Sequence, residues 1–111
     1  MLKISLIIPV FNRPGEVDEL LQSLSFQTDK DFEVVIVEDG STQSSLQVVE
    51  SYADRLDIKY FFKANSGPGP SRNFGCEEAS GNYLIFLDSD CVIPPDYCSI
   101  VKERLAANYA D

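Results

Sequence analysis

The chain of 111 residues contains no histidine, and this absence excludes two kinds of site. Neither a histidine-based catalytic triad nor a histidine-ligated zinc site can form within it. Cysteine is scarce as well. The chain has an odd number of cysteines, and no two of them form a C-x-x-C pair: they are Cys76, Cys91 and Cys98. A disulfide framework or a zinc ribbon is therefore not expected, and a reducing, cytoplasmic compartment is the simpler prediction.

Basic residues are also few, with 9 Lys and Arg against 18 Asp and Glu, which gives a net charge of −9. Sequence-independent binding to nucleic acid requires clustered cations, so nucleic acid is excluded as the expected partner. An anionic ligand would need a metal ion or a local cation to offset the negative field. The apolar run at residues 4–11 is too short to span a membrane, and no signal-peptide cleavage region follows it.

Four short β-rich runs alternate with helix-like stretches, and they occupy residues 4–8, 32–37, 58–62 and 83–87. The first, second and fourth are almost continuously apolar, which is typical of strands covered on both faces of a parallel sheet. The alternation predicts one α/β domain over residues 1–111, with parallel strands joined by right-handed crossovers.

The intervening helices are expected to begin near Pro14, Ser41, Pro70 and Pro95. Ser41 or Thr42 is the predicted N-cap of the second helix. Gly81 is the expected C′ residue of the third helix.

Polar segments follow the predicted strands. These segments are PVFNR at residues 9–13, EDGS at 38–41, NSGPG at 65–69 and DSD at 88–90. In open parallel sheets ligands bind beyond the carboxyl ends of the strands, where the strand order reverses. Polar groups gathered at this edge of an apolar sheet indicate a site.

Asp88 and Asp90 are two residues apart, and an extended backbone would point both carboxylates to the same side. Their mutual repulsion would be relieved by a divalent cation or by a shared proton. Oxygen ligands without histidine favour Mg²⁺ or Mn²⁺. The alternative is a turn or a helix cap, and a pattern of three residues does not separate the two interpretations.

Two further charged residues have equally open interpretations. Asp39 could accept hydrogen bonds from a base or a ribose, or it could form a simple turn with Gly40. Arg72, near the start of the predicted third helix, could contact a phosphate or a base. It could instead form a salt bridge with Glu77.

Three segments, taken together in their order and spacing, resemble those of a known protein family. They are SLIIPVFNRP, FEVVIVEDGST and NSGPGPSRNFGCEEASGNYLIFLDSD. They resemble the amino-terminal half of family 2 glycosyltransferases of GT-A fold, from Leu2 to about Pro95. The resemblance implies a three-layer α/β/α, Rossmann-like half-domain with a mostly parallel sheet of order 3-2-1-4. It also implies that this half holds the nucleotide of a sugar donor, usually a UDP-sugar.

The resemblance assigns roles to individual residues. Asp39 would contact the uracil or ribose, Arg72 the base or phosphate side, and Asp88 the ribose. Asp90 would ligate Mg²⁺ or Mn²⁺ together with Asp88. The residues expected to wall the base are Pro9, Val10, Phe11 and Asn12.

Two positions depart from the family pattern. Glu38 stands where the family often has Asp, an exchange that is expected to be tolerated. Cys91 stands where the family often has a further Asp, so the metal site would rest on Asp88 and Asp90.

Family members usually run to more than twice this length, and their second half holds the acceptor groove and the catalytic base. We therefore expect no catalytic base within these residues, which we interpret as the donor-binding half of an inverting enzyme. This half should bind nucleotide weakly and should not turn over. The acceptor would be a saccharide or a lipid-linked molecule, and the enzyme would be cytoplasmic, with a peripheral position at the inner face of the membrane as a further expectation.

The predicted fourth strand would be an apolar sheet edge in this chain, which predicts self-association or a repacked last helix. Two other enzyme classes need residues that this sequence lacks. A sugar nucleotidyltransferase should carry a Gly-rich basic loop after the first strand, and a haloacid-dehalogenase-like phosphatase needs Asp where Val37 stands. A non-catalytic nucleotide-binding or interaction domain stays open.

Overall fold

Branched apolar side chains predominate in β1 (Ile4–Val10) and β2 (Phe32–Asp39), the two central strands of a four-stranded sheet. The structure is a computed structural model and describes residues 3–108. β3 (Ile58–Lys63) pairs with β2, and β4 (Tyr83–Phe86) pairs with β1, all in parallel register. The order β3-β2-β1-β4 confirms the predicted topology.

Four helices complete the alternating chain: α1 (Pro14–Ser25), α2 (Leu46–Tyr52), α3 (Pro68–Glu78) and α4 (Tyr97–Asn108). Alternate residues of β1 and β2 pack with α1, α2 and α4 in the larger core on one face of the sheet. The other face of β1 and β2 lies under α3, where Ile7, Val35 and Val37 are fully buried. The three-layer α/β/α architecture follows from strands that are apolar on both faces.

Helix α3 approaches the sheet closely at Gly75. A Cβ atom at this position would lie 2.5 Å from Cγ2 of Ile7, a distance that normal packing does not allow. Beside this contact the rings of Phe61 and Phe74 meet edge to face with their centroids 5.3 Å apart. The missing side chain therefore sets how close α3 lies to β1.

Two predicted helix boundaries are wrong. The second helix begins at Leu46 with Ser45 as its N-cap residue, because Ser41 and Ser45 are both held by the buried carboxylate of Glu38. The third helix ends at Glu78, so Gly81 is not its C′ residue. The N–H of Gly81 instead donates to Oγ of Ser5 at 2.8 Å.

Strand β4 lies at the edge of the sheet, as predicted. Among residues 3–108 no strand pairs with its outer side. Its side chains are only partly buried, and Phe86 is 49% exposed, because α3 lies over β1 and β2. None of the helices in the described range is long and apolar enough to cross a membrane.

Candidate functional site

A cavity of about 300 Å³ opens at the carboxyl ends of β1, β2 and β4, where the strand order reverses. Its lining residues come from four separate segments of the chain: Pro9, Val10, Phe11, Arg13, Asp39, Pro68, Arg72, Asp88, Ser89 and Asp90. Seven of the eight residues predicted from the sequence are among them. Open α/β sheets bind ligands at this kind of position.

Asn12 is the predicted residue that does not line the cavity. Its backbone adopts a φ of 52°, and its side-chain Oδ1 accepts the N–H groups of Thr42 at 2.8 Å and Gln43 at 2.9 Å. The side chain is therefore used to hold the β1–α1 loop against the β2–α2 loop. Asn is enriched at positive φ, and this preference is the sequence signal that could have indicated its role.

Arg13 lines the cavity but was not predicted from the sequence. Its guanidinium lies on the surface and forms an ion pair with Glu16 at 3.1 Å, within the first turn of α1. Phe11, on the other side of Asn12, is 49% exposed and presents its ring as part of the cavity wall. The β1–α1 loop thus contributes one aromatic and one cationic side chain.

The carboxylate of Asp39 holds the loop that leads into α3. It accepts the N–H groups of Ser66 at 2.8 Å and Gly67 at 2.9 Å, and the ammonium of Lys63 lies 3.3 Å away. Burial raises the pKa of Asp39, but these three donors outweigh that effect and hold the pKa below its usual value. Because each carboxylate oxygen has two lone pairs, an ionised Asp39 keeps acceptor capacity for a ligand.

Arg72 is half-buried near the start of α3 and faces the cavity. The alternative salt bridge with Glu77 does not form, and within residues 3–108 its guanidinium has no hydrogen bond or ion pair. An unpaired guanidinium in a cavity is available to bind an anion.

Asp88 and Asp90 lie on a turn, whereas the sequence alone left an extended backbone and a turn both open. The turn is closed by a hydrogen bond from the N–H of Cys91 to the carbonyl oxygen of Asp88 at 3.1 Å. One carboxylate oxygen from each Asp and the sulfur of Cys91 all lie within 4.8 Å of one another. Both carboxylates are exposed, and neither has a hydrogen-bond or ion-pair partner in the described part of the chain.

This donor set fits a divalent cation. Two carboxylates without histidine suit Mg²⁺ or Mn²⁺, and the neighbouring thiol adds a softer third donor. Two unpaired carboxylates so close together repel each other, and a bound cation would relieve this repulsion.

The family model described as "Glycosyl transferase family 2" matches residues 5–111. The chain belongs to this family. The match includes all four segments that line the cavity.

Two curated proteins illustrate the relationship of this family 2 chain to longer proteins. It is 43% identical over 106 residues to an uncharacterised glycosyltransferase of Rickettsia conorii, which covers 96% of this chain and 18% of that protein. It is 43% identical over 115 residues to the poly(ribitol-phosphate) beta-N-acetylglucosaminyltransferase TarS of Staphylococcus aureus, covering 100% of this chain and 19% of TarS. The chain thus spans about a fifth of the length of these relatives.

A solved structure agrees with the fold. The crystal structure of S. aureus TarS 1–349 in complex with UDP superimposes with a TM-score of 0.89 at 35% sequence identity. The superposition covers 96% of this chain and 32% of that one. The Rossmann-like arrangement of the family 2 chain is therefore that of a GT-A glycosyltransferase.

Proposed function

We propose that residues 1–111 form the donor-nucleotide-binding part of a glycosyltransferase. The intact enzyme would transfer a sugar from a UDP-sugar, with inversion, to a saccharide or lipid-linked acceptor. One observation carries the proposal: Arg72, Asp88 and Asp90 line a single cavity and have no partner in the described residues. The solved TarS structure, which contains UDP, supports a uridine nucleotide as the ligand.

The cavity walls suit the parts of such a nucleotide. Pro9, Val10 and Phe11 offer apolar surface on which a base can pack. Asp39 is ionised and retains lone pairs, so it can accept the N–H of uracil or a ribose hydroxyl. Asp88, after β4, would accept hydrogen bonds from the ribose hydroxyl groups.

The anionic diphosphate needs positive charge, because the chain carries a net charge of −9. Arg72 provides an unpaired guanidinium within the cavity, and such a group binds phosphate through two parallel hydrogen bonds. Asp88 and Asp90 would hold Mg²⁺ or Mn²⁺. A bound divalent cation stabilises the negative charge that develops on a departing diphosphate.

The acceptor hydroxyl must lose its proton to a general base. After Asp90 the described acidic residues are Asp96 and Glu103, which do not line the cavity. We therefore assign the base to another part of the intact enzyme and expect this chain alone to bind nucleotide without turnover. The three free cysteines support a reducing, cytoplasmic location, and a lipid-linked acceptor would bring the enzyme to the inner face of the membrane.

Calorimetric titration with UDP and with GDP, each with and without Mn²⁺, tests the proposal. We expect UDP to bind more tightly than GDP, and Arg72→Ala to weaken UDP binding by about tenfold, the loss of one charge-assisted contact. Arg104→Ala is the matched control, because Arg104 is exposed on α4 and outside the cavity. Absence of binding by either nucleotide at millimolar concentration would overturn the assignment.

A further inference from the structure

The carboxylate of Glu38 is fully buried near the carboxyl end of β2. It accepts three hydrogen bonds: from the hydroxyl of Ser41, from the N–H of Ser45 at 2.7 Å and from the hydroxyl of Tyr60 at 3.0 Å. No Lys or Arg in the described residues pairs with it. A buried carboxylate held only by neutral donors depends on all of them being in place.

One of these donors connects Glu38 to the cavity wall. Because the hydroxyl proton of Ser41 goes to Glu38, the Ser41 oxygen is oriented to accept the N–H of Asn12 at 2.8 Å. Asn12 stands between Phe11 and Arg13, which both line the cavity. The chain of bonds therefore runs from a buried carboxylate to the backbone that carries two wall residues.

We propose that Glu38 is a positioning residue for the nucleotide site. It fixes the hydroxyl of Ser41, which holds Asn12 in its left-handed conformation and sets the placement of Phe11 and Arg13. This inference rests on the proposed function. Glu at this position is expected to be tolerated where the family often has Asp, but the reverse change in this chain should not be. Asp is one methylene shorter than Glu and does not reach all three donors from the same backbone.

Glu33 provides a matched control on the same strand. Its side chain is 1% exposed, and it also accepts bonds from neutral donors, in this case Ser5, Ser80 and Gly81. Unlike Glu38, it also pairs with the ammonium of Lys59 at 3.2 Å. These donors lie at the amino end of the sheet, away from the cavity. Glu33→Asp therefore makes the same chemical change in a buried carboxylate of β2 without disturbing the β1–α1 loop.

The experiment compares Glu38→Asp, Ser41→Ala, the double variant and Glu33→Asp. UDP affinity is measured by calorimetry at a temperature well below each unfolding midpoint, and amide hydrogen exchange is measured on the same samples. We expect both single variants at the cavity end to weaken UDP binding about tenfold, with the double variant no weaker than the worse single one, because they break one pathway. Glu33→Asp should lose thermal stability but keep its UDP affinity within about twofold.

Hydrogen exchange gives a readout that needs no nucleotide. The Asn12 amide should exchange at least tenfold faster in Glu38→Asp and Ser41→Ala than in the parent chain or Glu33→Asp. An unchanged Asn12 amide, additive losses in the double variant, or an equal loss of affinity in Glu33→Asp would each overturn the inference. If the parent chain binds no UDP, the proposed function fails, and the Asn12 amide alone then decides whether Glu38 positions the loop. If Glu38→Asp does not fold, Ser41→Ala gives the same decision.

Discussion

The backbone N–H of Cys91 donates a hydrogen bond of 3.1 Å to the carbonyl oxygen of Asp88. This bond closes the turn on which Asp90 lies, and it brings the sulfur of Cys91 into the same cluster as the two carboxylates, within 4.8 Å. The third donor at this position is therefore a thiol, and a thiol is a weaker ligand than a carboxylate for a hard cation.

Cys91→Asp should bind Mn²⁺ about fivefold more tightly than the parent chain, because a third carboxylate adds charge and a hard oxygen ligand. Calorimetric titration with Mn²⁺ measures the change. Cys91→Ser, which has similar size and no charge, should show no such gain. Equal Mn²⁺ affinities in Cys91→Asp and the parent chain would show that the side chain at position 91 does not ligate the bound metal.

Gly75→Ala should destabilise the fold by about 1–3 kcal/mol, since the new Cβ would meet the Ile7 side chain and push α3 from the sheet. Gly15→Ala in α1 is the control, because a Cβ there has no neighbour within 4 Å and the next residue is Glu16. Gly69 is unsuitable because Pro70 follows it and disfavours a side chain on a helical residue. Gly15→Ala should be neutral or slightly stabilising. Urea unfolding measures the free energy of unfolding of the two variants. Equal values would show that the contact between Gly75 and Ile7 does not determine how closely α3 packs on the sheet.

Glu33 should make stability depend on acid pH. Burial raises its pKa, but hydrogen bonds from Ser5 and Ser80, aided by Lys59, lower the pKa from 4.5 to about 2. Since the folded pKa is lower than the unfolded one, its stabilisation is complete above about pH 4.5 and is lost as pH falls towards 2. The loss should be on the order of 3 kcal/mol.

Urea unfolding at several pH values between 7 and 2.5 measures this effect. Glu33→Gln removes the titrating group and should flatten the dependence over that range, although the variant will be less stable at pH 7. A variant that loses stability with the same slope as the parent chain would contradict the assignment to Glu33.

The parent chain should self-associate through β4, because its outer edge has no partner strand in the described residues and Phe86 is exposed. Phe86→Lys should reduce association, as measured by sedimentation velocity over a range of concentrations. Phe62→Lys is the matched control. Phe62 is 57% exposed on β3, the opposite edge strand, where Lys59 and Lys63 already disfavour pairing with a strand of another molecule. A parent chain that stays monomeric at millimolar concentration would contradict the prediction.

The sheet was predictable because strand periodicity and turn residues are local signals. The apolar runs of β1, β2 and β4 predicted parallel pairing, and the polar segments after them marked the sheet edge at which the cavity opens. The placement of Arg72 and Asp90 in one cavity followed from that topology, since the carboxyl ends of parallel strands lie together.

The features that were not predicted depend on side-chain partners outside the local sequence patterns. Asn12 was expected to wall the base, but its side chain accepts hydrogen bonds from Thr42 and Gln43, which lie about thirty residues later in the sequence. Glu38 fixes the start of α2 by accepting the N–H of Ser45, and local capping patterns do not include a carboxylate seven residues before the N-cap residue. The available signal was that Glu33 and Glu38 lie in a strand predicted to be covered on both faces, which requires buried carboxylates with internal donors.

Metal-dependent UDP binding tests the central claim most directly. UDP is titrated into the parent chain and into Asp90→Asn, each with and without Mn²⁺, with Asp96→Asn as a control acid outside the cavity. We predict that Mn²⁺ strengthens UDP binding at least tenfold, about 1.4 kcal/mol, in the parent chain and in Asp96→Asn, and that Asp90→Asn loses this gain. UDP affinity that is the same with and without Mn²⁺, or a full gain in Asp90→Asn, would contradict the assignment of this cavity to a metal-bound nucleotide sugar.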